Sequence, residues 1–177
     1  MRTAALAGSP VAVLAVGYDA ATDRELFLLE LDQLDELPAK LCMPTRHFAC
    51  LLALDGRTVG PGDLHRSAAN LLGQGAVYLT VWGPGCGRIR ALLDDTILFS
   101  ERDAAEDSIV LTEDHEGEPL EDALVHLLER SQPASRYFES CRAALVVTVN
   151  ATGWALACRE ALCDPRGFVA GLALVET

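Results

Sequence analysis

The chain has 177 residues, enough for one domain of ordinary size and short for two. Half of it is apolar and its mean hydropathy is +0.21, so a core can be buried and global disorder is excluded. Acids outnumber bases 26 to 14, for a formal charge of −12 and a pI near 4.6. Such a surface repels phosphate backbones, so nucleic acid is not an expected partner.

Residues 10–37 predict a β-hairpin: Val11–Tyr18 as a strand, Asp19–Arg24 as turn chemistry, and Glu25–Leu31 as the returning strand. Pro38 and Pro44 bracket a short connector. Between 46 and 150 the pattern becomes an alternation of strands and helices. His47–Asp55 is a continuous apolar strand. Asp63 is placed to cap a helix with Leu64, Ala68, Leu71 and Leu72 on its apolar face, stopped at Gly73–Gly75. Ala76–Trp82 is the next strand, and after Gly83-Pro84-Gly85 a second helix buries Ile89, Leu92 and Leu93. Ser108–Thr112 reads as a third strand. Pro119 opens a third helix with Leu120, Ala123, Leu124, Leu127 and Leu128 on one stripe, and Ala143–Val149 is a fourth strand. Nearly uniform apolar strands between amphipathic helices indicate parallel βαβ units. In 151–177, a Trp154–Arg159 segment and a turn at Asp164–Gly167 lead to a final strand over Phe168–Val175. The expected fold is therefore α/β in a single domain, a mostly parallel sheet flanked by helices, with an N-terminal β-hairpin (10–37), a βαβ core (46–150) and C-terminal edge strands (151–177).

The six cysteines, at 42, 50, 86, 141, 158 and 163, form no CxxC pair and match no zinc module. Several lie in apolar stretches, as reduced thiols do in a reducing compartment. The apolar run after Arg2 is broken by Gly8-Ser9-Pro10 without a plausible cleavage site, and the longest apolar segments are too short to span a bilayer. A cytoplasmic protein with no membrane association is expected. Thirteen of the fourteen bases are Arg, with Lys40 the exception, which suggests a GC-rich bacterial genome.

Charge is concentrated. Residues 94–122 hold twelve acids and one base, Arg102, a net of −11, while the rest of the chain is nearly balanced. A solvated face and a helix N-terminus account for many acids. A docking face for a basic protein partner is the functional alternative, with Glu113, Asp114, Glu116 and Glu118 beside Trp82 and Arg88 as its expected binding residues.

Ligands of open parallel sheets bind outside the carboxyl ends of the strands. Three strands end there in reactive side chains: Asp55, Cys86 and His115. A thiol nucleophile at Cys86, at the start of a helix, with His115 as base and Glu116 or Asp55 orienting it, would support hydrolase or transferase chemistry. The surrounding acids oppose thiol activation. The Gly83–Arg88 loop, with Arg88 and Arg90 as candidate phosphate anchors, lacks both the G-x-G-x-x-G spacing and the Walker lysine. No cofactor is expected; Cys86, His115 and nearby carboxylates are residue types that mix in some metal centres, but their spacing is not diagnostic and no metal site is assigned. His47, His65 and His126 read as structural, and Trp82 and Trp154 as packing residues.

Trp82-Gly83-Pro84-Gly85-Cys86, followed by Thr112-Glu113-Asp114-His115-Glu116 and the acidic-headed helix from Pro119, resembles a bacterial domain family of unknown function. That family is marked by a Trp-Gly-Pro-x-Cys strand end and a Thr-x-x-His-Glu turn. The resemblance covers about residues 46–150. It implies no activity and singles out Cys86 and His115; Asp114 stands where the family often has Trp.

Overall fold

The computed structural model describes residues 11–100 and 109–174. Six strands form one sheet: β1 (Leu14–Asp19), β2 (Arg24–Leu31), β3 (His47–Ala53), β4 (Ala76–Trp82), β5 (Leu111–His115) and β6 (Cys141–Val149). Their order is β1-β2-β6-β3-β4-β5, with β1 antiparallel to β2 and every other pairing parallel. The α/β class, the mostly parallel sheet and the N-terminal hairpin are as expected.

Side chains alternate across the central strands, so both faces of the sheet are apolar. Phe48, Cys50 and Leu52 of β3 join one core, and Ala49, Leu51 and Ala53 join the other. The first face is covered by α1 (Pro61–Gly73), α2 (Cys86–Ser100) and the connector that buries Leu34, Leu37 and Leu41. The second is covered by α3 (Leu120–Val125), α4 (Thr152–Cys163) and α5 (Pro165–Ala173). The expected stripe of α3 is wholly buried, but past Val125 the helix widens into a π turn over His126–Arg130, closed by Ser131 N donating to His126 O at 2.9 Å. Arg24 fixes this end, donating to both the Oγ and the carbonyl of Ser131 at 2.8 Å.

Four expectations are corrected. The expected C-terminal edge strands are helices: Trp154–Arg159 lies in α4, and Phe168 lies in α5, where Val175 falls outside the described residues. Asp164 accepts a bond from Gly167 N and Pro165 holds the first helical turn, which is helix-start chemistry and not a hairpin turn. The strand expected at Ser108–Thr112 runs instead from Leu111 to His115, with Ser108 outside the described residues. Its polar side chains are tolerated because β5 lies at the sheet edge and each finds a partner on β4, α2 or the turns beyond. Asp63 is not the cap of α1; Gly60 is, with Pro61 next, and Asp63 pairs with Arg66 one turn on. The first strand begins at Leu14, three residues later than the pattern suggested.

Candidate functional site

The parallel strands all present their carboxyl ends to one rim. The chain leaves β3 toward α1 on one face and leaves the adjacent β6 toward α4 on the other, so a crevice opens between them. A cavity of about 370 Å³ occupies it, lined by Asp32, Asp55, Asp63, Asn150 and Trp154 among others. Asp55 is there, held by Arg57 through both carboxylate oxygens at 2.7 and 2.9 Å. It does not approach His115 as an orienting group.

The Gly83–Arg88 loop is closed on its neighbour. Gly56 N donates to Pro84 O at 2.7 Å, and Arg88 donates to the carbonyls of Gly56 and Val59. Arg90 pairs with Asp114 and Asp94. Both arginines are therefore engaged within the chain. At the start of α2 the place an anion would take is filled by Glu116, whose carboxylate lies 2.7 Å from where a Cβ on Gly87 would sit.

Cys86 is fully buried in the core beneath α1 and α2. Burial pushes its thiol up, and the Asp114 and Glu116 charges push the same way, against weaker help from the amides of His115 and Gly87. His115 points to the opposite face: side chains alternate along β5, and Glu113, two residues earlier, meets Tyr78 and His126 on the α3 side. The sheet separates the expected nucleophile from its expected base.

What His115 does meet is His126. The two rings lie edge to face, centroids 4.9 Å apart. His115 Nδ1 is 2.6 Å from Glu118 Oε2 and donates to it, since an ionised carboxylate only accepts; in the neutral imidazole Nε2 then keeps the lone pair. That Nε2 is buried and has no hydrogen-bond partner among the described residues. His126 Nε2 lies 2.8 Å from Glu113 Oε2 and 2.9 Å from the Tyr78 hydroxyl, which donates to the same carboxylate at 2.6 Å. Burial first of all keeps the His126 imidazole below its ordinary value, outweighing the Glu113 carboxylate. Burial and Glu113 raise the Tyr78 phenol, which stays protonated as a donor. His115 and His126 open onto a cleft of about 550 Å³ between the π turn and α5.

A family model described as a domain of unknown function, DUF7684, matches residues 26–164. The chain belongs to this family. No curated protein and no solved structure matches it. The expectation of a family of unknown function holds at that level, over a longer span than 46–150. The DUF7684 span contains every rim residue named above and leaves β1 and α5 outside it.

On this DUF7684 rim the expected binding residues are placed unequally. Glu113 and Asp114 are committed to Tyr78, His126 and Arg90. Trp82 donates from Nε1 to Glu118 O at 2.8 Å and stacks edge-on against Trp154. Glu116, Glu118, Glu121 and Asp122 are exposed along the turn after β5 and the first turn of α3. Glu101, Arg102, Asp103, Glu106 and Asp107 of the acidic stretch lie outside the described residues. Sequence reasoning missed His126. The available signal was Glu113-x-His115, a spacing that puts both side chains on one face of a strand, followed by a histidine at the end of an amphipathic helix. Ending the strand at Thr112 hid it.

Proposed function

We propose that the protein is a small binding or regulatory protein of the bacterial cytoplasm that engages a basic protein partner through the rim formed by the β5–α3 turn and the start of α3. One observation carries the reading: from Ile109 to Asp122 there are six acids and no Lys or Arg, and four of those acids are exposed side by side. An unbalanced patch of one sign speeds encounter with a complementary surface and discriminates against like charge. No helix among the described residues is long and apolar enough to cross a membrane, and the buried, unpaired cysteines suit a reducing compartment. An accessory role in a bacterial defence or regulatory operon, of the kind immunity proteins fill, fits this size and charge.

The test is affinity capture from native lysate at low and moderate salt, with the wild-type chain and with Glu116, Glu121 and Asp122 reversed to Lys. A basic protein held at low salt, released at moderate salt and lost on charge reversal supports the reading. A partner indifferent to both overturns it. The alternative of a thiol-dependent hydrolase or transferase draws no support from the burial of Cys86 on the face opposite His115.

A further inference from the structure

We infer that Glu113, His115 and His126 form a binding site for a divalent first-row transition metal ion, zinc by preference, with Glu118 as the residue that positions His115. Each of the three offers a ligand atom, and these atoms lie within 4.8 Å of one another. Two imidazoles and one carboxylate form a donor set that suits zinc and its first-row neighbours and does not suit calcium or magnesium, which take oxygen.

The second observation is independent of the cluster. The His115 side chain is only 7 % exposed, yet its Nε2 has no partner among the described residues. A buried imidazole nitrogen left without a bond is costly, and protein structures seldom leave one without a reason. The cause is visible across the ring: Glu118 accepts a hydrogen bond from Nδ1, which keeps the proton of the neutral imidazole there and leaves Nε2 its lone pair. That is the outer-shell arrangement that orients a metal-ligating histidine and raises its basicity. On the other side, His126 Nε2 and Glu113 Oε2 stand 2.8 Å apart, a separation that a metal ion would widen slightly in taking the place of the shared proton.

The surroundings are consistent with an open site. His126 begins a π turn, a rare widening of a helix that recurs at functional sites. Tyr78 donates to the Glu113 carboxylate and holds it against His126. Three protein ligands leave a fourth position for water or a ligand atom, and the 550 Å³ cleft that His115 and His126 line gives access to it. The inference does not rest on the partner proposal: His115 and His126 are largely buried and Glu113 is half-buried, and of the exposed acids of the docking patch only Glu118 is shared.

Titration of the full metal-stripped chain with zinc, followed by calorimetry, should show one ion per chain. Cobalt in its place should give visible bands of nitrogen and oxygen ligation without thiolate charge transfer. His115→Gln and His126→Gln should each weaken zinc binding by more than about a hundredfold, and Glu118→Gln by about 10- to 100-fold. Glu121→Gln, outside the cluster, should leave it unchanged. Circular dichroism of the metal-free variants verifies folding; should a histidine variant not fold, the cobalt spectrum of the wild-type chain decides. Absence of stoichiometric binding, a thiolate band from Cys42 or Cys163, or binding indifferent to both histidine changes would overturn the inference.

Discussion

Asp19 and Arg166, 147 residues apart, form a two-point ion pair: Arg166 Nε donates to Oδ1 at 2.8 Å and Nη2 to Oδ2 at 2.6 Å. The Asp19 carboxylate is wholly buried at the end of β1, while the Arg166 side chain is about half exposed at the start of α5. The pair ties the edge strand to the last helix, both of them outside the DUF7684 span.

Among the described residues, removing Arg166 leaves a buried carboxylate supported by the Thr22 hydroxyl and the Ala21 amide alone. Arg166→Ala should therefore cost about 2–3 kcal/mol in urea unfolding, below the usual range for a fully buried pair because the guanidinium remains partly solvated. A loss under about 0.5 kcal/mol would show that the pair contributes little.

The same pair sets an acid limb. Burial alone would raise the Asp19 carboxyl, but the bonds from Arg166, Thr22 and Ala21 prevail and hold it below its ordinary value. A carboxyl lowered by folding stabilises the native state fully above the unfolded value, near 4, and loses that contribution as the pH falls below it. Stability measured from pH 5 to pH 2 should fall less steeply in Asp19→Asn than in the wild-type chain. Parallel curves would contradict this.

Thiol reactivity should divide by burial. Cys42 and Cys163 are exposed; Cys50, Cys86, Cys141 and Cys158 are buried, and burial pushes all four of their thiols up, Cys158 to about 12. Native alkylation near pH 7.5 followed by peptide mass mapping should label the first two and leave the others until the chain unfolds. Rapid labelling of Cys86 would restore the case for a nucleophile there.

Two glycines should respond to alanine with opposite sign. Gly83 has φ +116°, and a Cβ there would meet Leu54 O at 2.3 Å, so Gly83→Ala should destabilise by about 2–3 kcal/mol and loosen the rim. Gly171 lies within α5 with open space around its Cβ position, so Gly171→Ala should stabilise by about 0.5–1 kcal/mol. Thermal denaturation of the two variants compares them directly.

Local patterning determined much of the architecture. The apolar runs of β3, β4 and β6 and the stripes of α1, α2 and α3 are legible in the sequence because burial selects side chains at a period of 2 or about 3.6. The acidic segment and the absence of a long apolar span are likewise properties of the chain alone. Phe168–Val175 misled because a short apolar run suits a strand and a helix equally; Asp164-Pro165 upstream carried the deciding signal, a helix cap, and reads as a turn when taken alone. Tertiary structure decided the rest. β6, the last strand made, inserts between β2 and β3, a pairing that no local period encodes. Which rim residues meet follows from side-chain alternation on β5: it turns His115 away from Cys86 and toward His126, eleven residues on and carried there by α3. A one-residue slip in the pairing of that strand exchanges the faces, so the site depended on a register that pairing with β4 fixes.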